Sequence, residues 1–242
     1  MKTTLVLAMT ADGKISDVTR SAPSFGSKRD YAHLEQQIML SDVVLVGSGT
    51  LNDGGTAIET NPALIQARLD RGVSAQPPQI ICSRSGKLDP SLPFFSQSIE
   101  RWLLTTTSGA VNWLERTSFD RVLVCETADG KDLDWAVVKV KLAELAVENI
   151  CFLGGSELAA SLFAADFIDE LWLTVCPVIY GGTTSPSPVS GIGFTPASAP
   201  RLKLLSVEQV EQELFLHYQV ERVGEASAFA EARHQGGRKA SS

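Results

Sequence analysis

Three short segments of this chain carry residues whose types and spacing could do chemistry. Ala8-Met-Thr-Ala-Asp-Gly-Lys14 is an apolar run that breaks into a Gly-bent loop presenting Thr10, Asp12 and Lys14. Gly47-Ser-Gly-Thr50 follows another apolar run; two glycines beside hydroxyls let backbone approach an anion closely, with Ser48 and Thr50 as donors. Leu153-Gly-Gly-Ser-Glu-Leu158 is a third, where a helix starting at Ser156 would aim free N–H groups and a favourable dipole at a phosphate. Each could also be an ordinary turn. The second lacks the Gly-x-x-x-x-Gly-Lys-Ser/Thr spacing of a nucleotide-hydrolysing loop, and the third is not Gly-x-Gly-x-x-Gly. Taken together, they suggest a nucleotide lying across the edge of a sheet.

The elements that must position these segments alternate along the chain. Strands are expected at Thr3–Thr10, Asp42–Gly47, Gln79–Arg84, Trp102–Thr106, Val122–Glu126 and Ile150–Leu153. Helices are expected at Lys28–Leu40, with Ser27 as N-cap, at Asn61–Arg71, with Pro62 at its first position, and at Ser108–Arg116 and Asp134–Val147. That order favours a largely parallel sheet covered on both faces, and ligands of such sheets bind at the carboxyl ends of the strands. The pattern changes near the end. Leu171–Ile179 is a strand interrupted by Pro177, Gly181–Pro200 is a loop, and Arg201–Gln209 and Glu213–Arg222 read as an antiparallel pair. The expected fold is therefore α/β, three layers, with a mixed but mostly parallel sheet. Residues 1–222 form one domain, and 223–242, small and polar, are expected to be a disordered tail.

Composition narrows the function classes. Of 242 residues, 44% are apolar and 20% charged, and the net charge of −7 with no basic cluster argues against a nucleic-acid partner. No apolar run approaches the roughly 18–20 residues that span a bilayer. The amino-terminal run is too short for a signal peptide, so a cytoplasmic protein is expected. Cys82, Cys125, Cys151 and Cys176 are spread over apolar runs and His33, His217 and His234 are scattered; neither set has metal-ligand spacing, so no metal is expected. Trp102, Trp113, Trp135 and Trp172 read as packing residues.

The order of MTADGKIS (9–16), DVVLVGSGTL (42–51), PPQIICSRSGKLDP (77–90) and the long run from Ile150 to Gly182 resembles the reductase domain of riboflavin biosynthesis. That is the C-terminal half of the bifunctional deaminase-reductase, which is similar in fold to dihydrofolate reductase. The zinc-deaminase signatures His-x-Glu and Pro-Cys-x-x-Cys are absent, so a stand-alone reductase is expected. The resemblance implies NADPH-dependent hydride transfer to C1′ of the ribosylamino group of a phosphorylated pyrimidine, and a homodimer. By position, it implies that Ala8, Gly49, Thr50, Ser83 and Gly154-Gly155-Ser156-Glu157-Leu158 hold NADPH, with Arg84 a candidate for its 2′-phosphate. Lys14 and Asp12 would face the reacting sugar, Lys14 as the cation and Asp12 orienting the loop, and Ser24 or Ser27 would contact substrate.

The chain departs from the family where substrate is held. Leu153 stands in place of a Glu before the Gly-Gly, Asn52-Asp-Gly-Gly-Thr56 in place of Asp-Asp-Pro, and Ile38 or nearby Gln36 or Gln37 in place of an arginine. Two alternatives keep the fold: reduction of another imine or carbonyl such as a pterin, and nucleotide binding without chemistry. No residue stands out in the sequence as the general acid.

Overall fold

The computed structural model describes residues 1–21, 24–58 and 60–221; the expected tail at 223–242 lies outside them. Nine strands form one sheet: β1 (Lys2–Thr10), β2 (Val43–Gly47), β3 (Gln79–Cys82), β4 (Arg101–Thr105), β5 (Arg121–Val124), β6 (Asn149–Phe152), β7 (Glu170–Cys176), β8 (Arg201–Val210) and β9 (Glu213–Glu221). Their spatial order is β5-β4-β3-β2-β6-β1-β7-β9-β8. The first seven run parallel, while β9 is antiparallel to both β7 and β8, so the mixed sheet and its antiparallel closing pair are as expected.

Alternation along the central strands feeds two faces. Leu5, Leu7, Val43, Leu45, Ile80 and Phe152 pack under helices α5 (Trp135–Glu144) and α6 (Ser156–Ala164). Val6, Val44 and Cys151 point the other way, onto α1 (Lys28–Leu40) and α3 (Pro62–Asp70). Leu51 of α2 (Ser48–Gly54) joins Ile81, Leu103, Phe94, Trp113 and Phe119 in a third cluster. Helices on both faces make three layers.

Three expectations change. The helix expected at Ser108–Arg116 is a four-residue helix, α4 (Thr107–Ala110), followed by a 3-10 turn at Val111–Trp113. Gly109 stacks against Gly86 and the Thr105 hydroxyl, and Trp113 donates its indole N–H to the Gly86 carbonyl at 2.6 Å, so packing sets the path of this segment. The strand expected to reach Ile179 ends at Cys176, because Pro177 offers no N–H to extend the ladder. Finally, Ser48-Gly-Thr50 is the first turn of α2 rather than an isolated Gly-rich turn.

Candidate active site

Because β1, β2, β3, β4 and β6 are parallel and in close register, the loops that follow them open on one edge of the sheet. The structure therefore brings together the three segments singled out by their residue types.

Two of them touch. Gly47 N–H donates to the Gly154 carbonyl at 2.9 Å, and a Cβ on Gly155 would stand 3.0 Å from Thr50 Oγ1. Gly154 has φ +92°, a conformation that favours glycine, and a side chain there would press on Leu7. Gly47 caps α2 and Gly155 caps α6, and neither helix has a side-chain cap. Their first-turn N–H groups, those of Ser48, Gly49 and Thr50 in α2 and of Ser156, Glu157 and Leu158 in α6, are thus left for other partners. Two adjacent helix N-termini suit a diphosphate better than any neutral group. Glu157 would oppose an anion here, but its carboxylate is turned aside to accept from Ser190 Oγ at 2.8 Å. Leu158 packs its side chain into the core and can offer only backbone.

Farther along the edge, Ser83 is buried and donates its N–H to the Leu104 carbonyl. Arg84 is exposed, 3.4 Å from Asp132, and its carbonyl accepts from the Thr105 and Thr106 hydroxyls. These residues border a hollow of about 400 Å³ lined by Ser48, Ser83, Arg84, Ser85, Thr106, Ser108 and Lys131. Five hydroxyls and two cations line it, with Arg84 paired to Asp132 and Lys131 3.6 Å from Asp129. Lys131, Thr106 and Ser108 were not found in the sequence, since they come from separate loops with no motif of their own.

The β1 loop is held from a distance. Thr10 N–H donates to the Lys14 carbonyl and Lys14 N–H to Thr10 Oγ1, closing a turn around Gly13 (φ +78°). Asp12 accepts from Thr10 Oγ1 at 2.5 Å, Gly181 N–H at 2.7 Å and Tyr180 N–H at 3.2 Å, and these bonds, the hydroxyl's first, lower its carboxyl pKa to about 2. Its carboxylate is an anchor for the loop after β7. Lys14 Nζ donates to the Ser185 carbonyl at 3.1 Å and keeps two further N–H groups for a ligand. Ser27 caps α1 and gives both its hydroxyl and its N–H to buried Glu213, at 2.5 and 2.8 Å. Ser24 is exposed just ahead of it. Ala8, half-buried in β1, pairs with Thr174 of β7. At the departures from the family pattern, Ile38 is in the core and Leu153 packs beside it, so neither restores a polar contact.

The three-layer fold, a mostly parallel sheet closed by an antiparallel pair, is of the dihydrofolate-reductase type. Residues 1–216 match the family model of the RibD C-terminal domain, and the chain belongs to that family. It is 24% identical over 215 residues to the 2,5-diamino-6-ribosylamino-4(3H)-pyrimidinone 5′-phosphate reductase of Methanothermobacter thermautotrophicus, covering 88% of this chain and 95% of that one. It is 25% identical to the riboflavin biosynthesis protein RibD of Bacillus amyloliquefaciens, over 88% of this chain but only 56% of that protein. A pyrimidine reductase-like protein from Corynebacterium diphtheriae superposes with a TM-score of 0.73 at 18% identity, over 91% of this chain and 92% of the other, and shares its fold. No helix among the described residues is long and apolar enough to cross a membrane.

Proposed function

We propose that this chain is a reductase of riboflavin biosynthesis that uses NADPH to convert the ribosylamino group of 5-amino-6-(5-phosphoribosylamino)uracil into a ribityl group. The observation that carries the reading is the contact of two uncapped helix N-termini at Gly47 and Gly154, beside Leu7 on β1. The first-turn N–H groups of α2 and α6 would hold the diphosphate, and the reduced nicotinamide supplies the hydride. The preference for NADPH over NADH is drawn from the hollow at Arg84, where the guanidinium and five hydroxyls could meet a 2′-phosphate in place of Asp132. Lys14 directs its free N–H groups at the phosphate or sugar oxygen of substrate, while Asp12 keeps the loop in place. Ser24 is the freer of the two serines to meet substrate.

A second copy of the chain is the partner proposed for β8. This edge strand exposes Leu202, Leu204, Leu205 and Val207, and an uncovered apolar edge invites strand or face pairing. Sedimentation of the purified protein checks it.

The pyrimidine has two forms to test, since the archaeal relative matched over 95% of its length is named for the 2-amino ring. The experiment is oxidation of NADPH with each pyrimidine, beside a direct NADPH titration. Turnover of the uracil supports the proposal; turnover of the diamino ring alone keeps the reductase and overturns the uracil assignment. Binding without turnover moves the substrate to another imine or carbonyl such as a pterin. Absence of NADPH binding refutes the placement of the diphosphate.

A further inference from the structure

Glu157 puts a carboxylate on the first turn of α6, the turn whose N–H groups would hold the diphosphate. Gly155 offers that turn no side-chain cap, so the helix start attracts the nearest negative group, and Glu157 is two residues away. Left to itself, the side chain would fold back over the N–H groups of its own helix. The structure holds it the other way. Ser190 Oγ donates to Glu157 Oε1 at 2.8 Å. The second oxygen, Oε2, lies beside Gly191: a Cβ on that glycine would stand 3.7 Å from it and 3.3 Å from the Cβ of Ala160, three residues farther along α6. The carboxylate is thus drawn down the helix, away from its N–H end.

The segment that draws it is docked by means other than the carboxylate. Ser190 N–H donates to the Ser156 carbonyl at 3.2 Å, Val189 packs on the core, and Ser187 Oγ donates to the Val189 carbonyl at 2.9 Å. Gly191, at φ +76°, takes a backbone turn that a side chain would strain, and passes close over α6. The Ser190 hydroxyl therefore reaches Glu157 from backbone that is already fixed.

We propose that Ser190 is a positioning residue for the cofactor: by holding Glu157 along α6, it keeps the N–H groups of that turn open and a like charge off the diphosphate. This inference rests on the reading above that puts the NADPH diphosphate at α6. Without the Ser190 hydroxyl, two effects act against the cofactor. The released carboxylate competes for the same N–H groups, and an arriving diphosphate meets its negative charge.

Titration of NADPH into Ser190→Ala, Glu157→Gln and the double variant tests it, at low salt and at 1 M salt. Ser190→Ala should weaken NADPH binding by about tenfold at low salt, the size of one charge contact. Its melting temperature should change little, because the backbone bond to Ser156 remains. At 1 M salt, where charges are screened beyond about 3 Å, its deficit against the wild type should shrink to about twofold. In the Glu157→Gln background, Ser190→Ala should alter affinity by less than about twofold, since no charge is left to hold. A Ser190→Ala protein that binds NADPH as the wild type does overturns the proposal. So does an equal loss in both backgrounds, which would make Ser190 a packing residue. Either result leaves the diphosphate at α6, whereas a wild type that binds no NADPH removes the diphosphate and the role of Ser190 together.

Discussion

The two sides of this cleft are built by different means. The cofactor side is made of backbone: Gly47, Gly154 and Gly155 bring two helix starts together, and the groups offered are N–H. The substrate side is made of side chains pinned by distant partners, Asp12 by Gly181, Lys14 by Ser185 and Ser27 by Glu213, pairs 169, 171 and 186 residues apart. A backbone site tolerates wide sequence change so long as its glycines stay. A side-chain site can be rebuilt around new groups, as Leu153 indicates by packing on the core where the resemblance implies a Glu.

Substitutions should separate the two sides. The largest effect is expected for Gly155→Val, whose side chain would meet Thr50 Oγ1 and cover the N–H groups. Loss of two charge-assisted hydrogen bonds, each ~1.5–3 kcal/mol, lowers NADPH affinity by roughly 100-fold or more while the melting temperature changes little. Unchanged affinity in titration would remove the diphosphate from this turn. Next comes Lys14→Ala, for which kcat should drop by about 10- to 100-fold with little change in NADPH binding, as befits one charged contact. Equal losses in both would make Lys14 a cofactor or structural residue and erase the contrast. Smaller again is Arg84→Ala, expected to reduce preference for NADPH over NADH by about tenfold and leave NADH use unaltered, because an exposed cation on a phosphate is partly screened. A variant that weakens both cofactors alike would place Arg84 outside the 2′-phosphate site.

The same contrast explains what was legible in the sequence. Strand and helix periodicity gave the parallel core, and the glycine turns stood out because they are contiguous and follow apolar runs. The first turn of α2 was legible only as a turn because glycines at 47 and 49 weaken any helix signal, and tertiary packing overrides that weakness. The hollow at Arg84 was hidden by its assembly from four loops. The partner of Ser27 was hidden more thoroughly: its place as N-cap was legible, but Glu213, which takes its hydroxyl and N–H, lies 186 residues away. Local patterns predict local partners.

Asp12 offers the subtlest test, because its role on the substrate side is to hold rather than to react. Its folded pKa of about 2 lies below the ordinary carboxylate value of ~3.9, so its contribution to stability is present above that ordinary value and is lost as pH falls through about 2. Asp12→Asn removes the charge while keeping the shape. The melting temperature of the variant should lie slightly below that of the wild type at neutral pH, and the gap should close between about pH 4 and 2. A gap that persists at the acid end would mean the loss is steric rather than electrostatic. The variant should also slow turnover less than Lys14→Ala does, since the Ser185 carbonyl still holds the ammonium when one of the loop's two anchors is weakened. If Asp12→Asn were instead as damaging to kcat as Lys14→Ala, with no change in melting behaviour, the carboxylate would have to act on the substrate itself, and the division between anchoring and reacting groups on this side of the cleft would have to be redrawn.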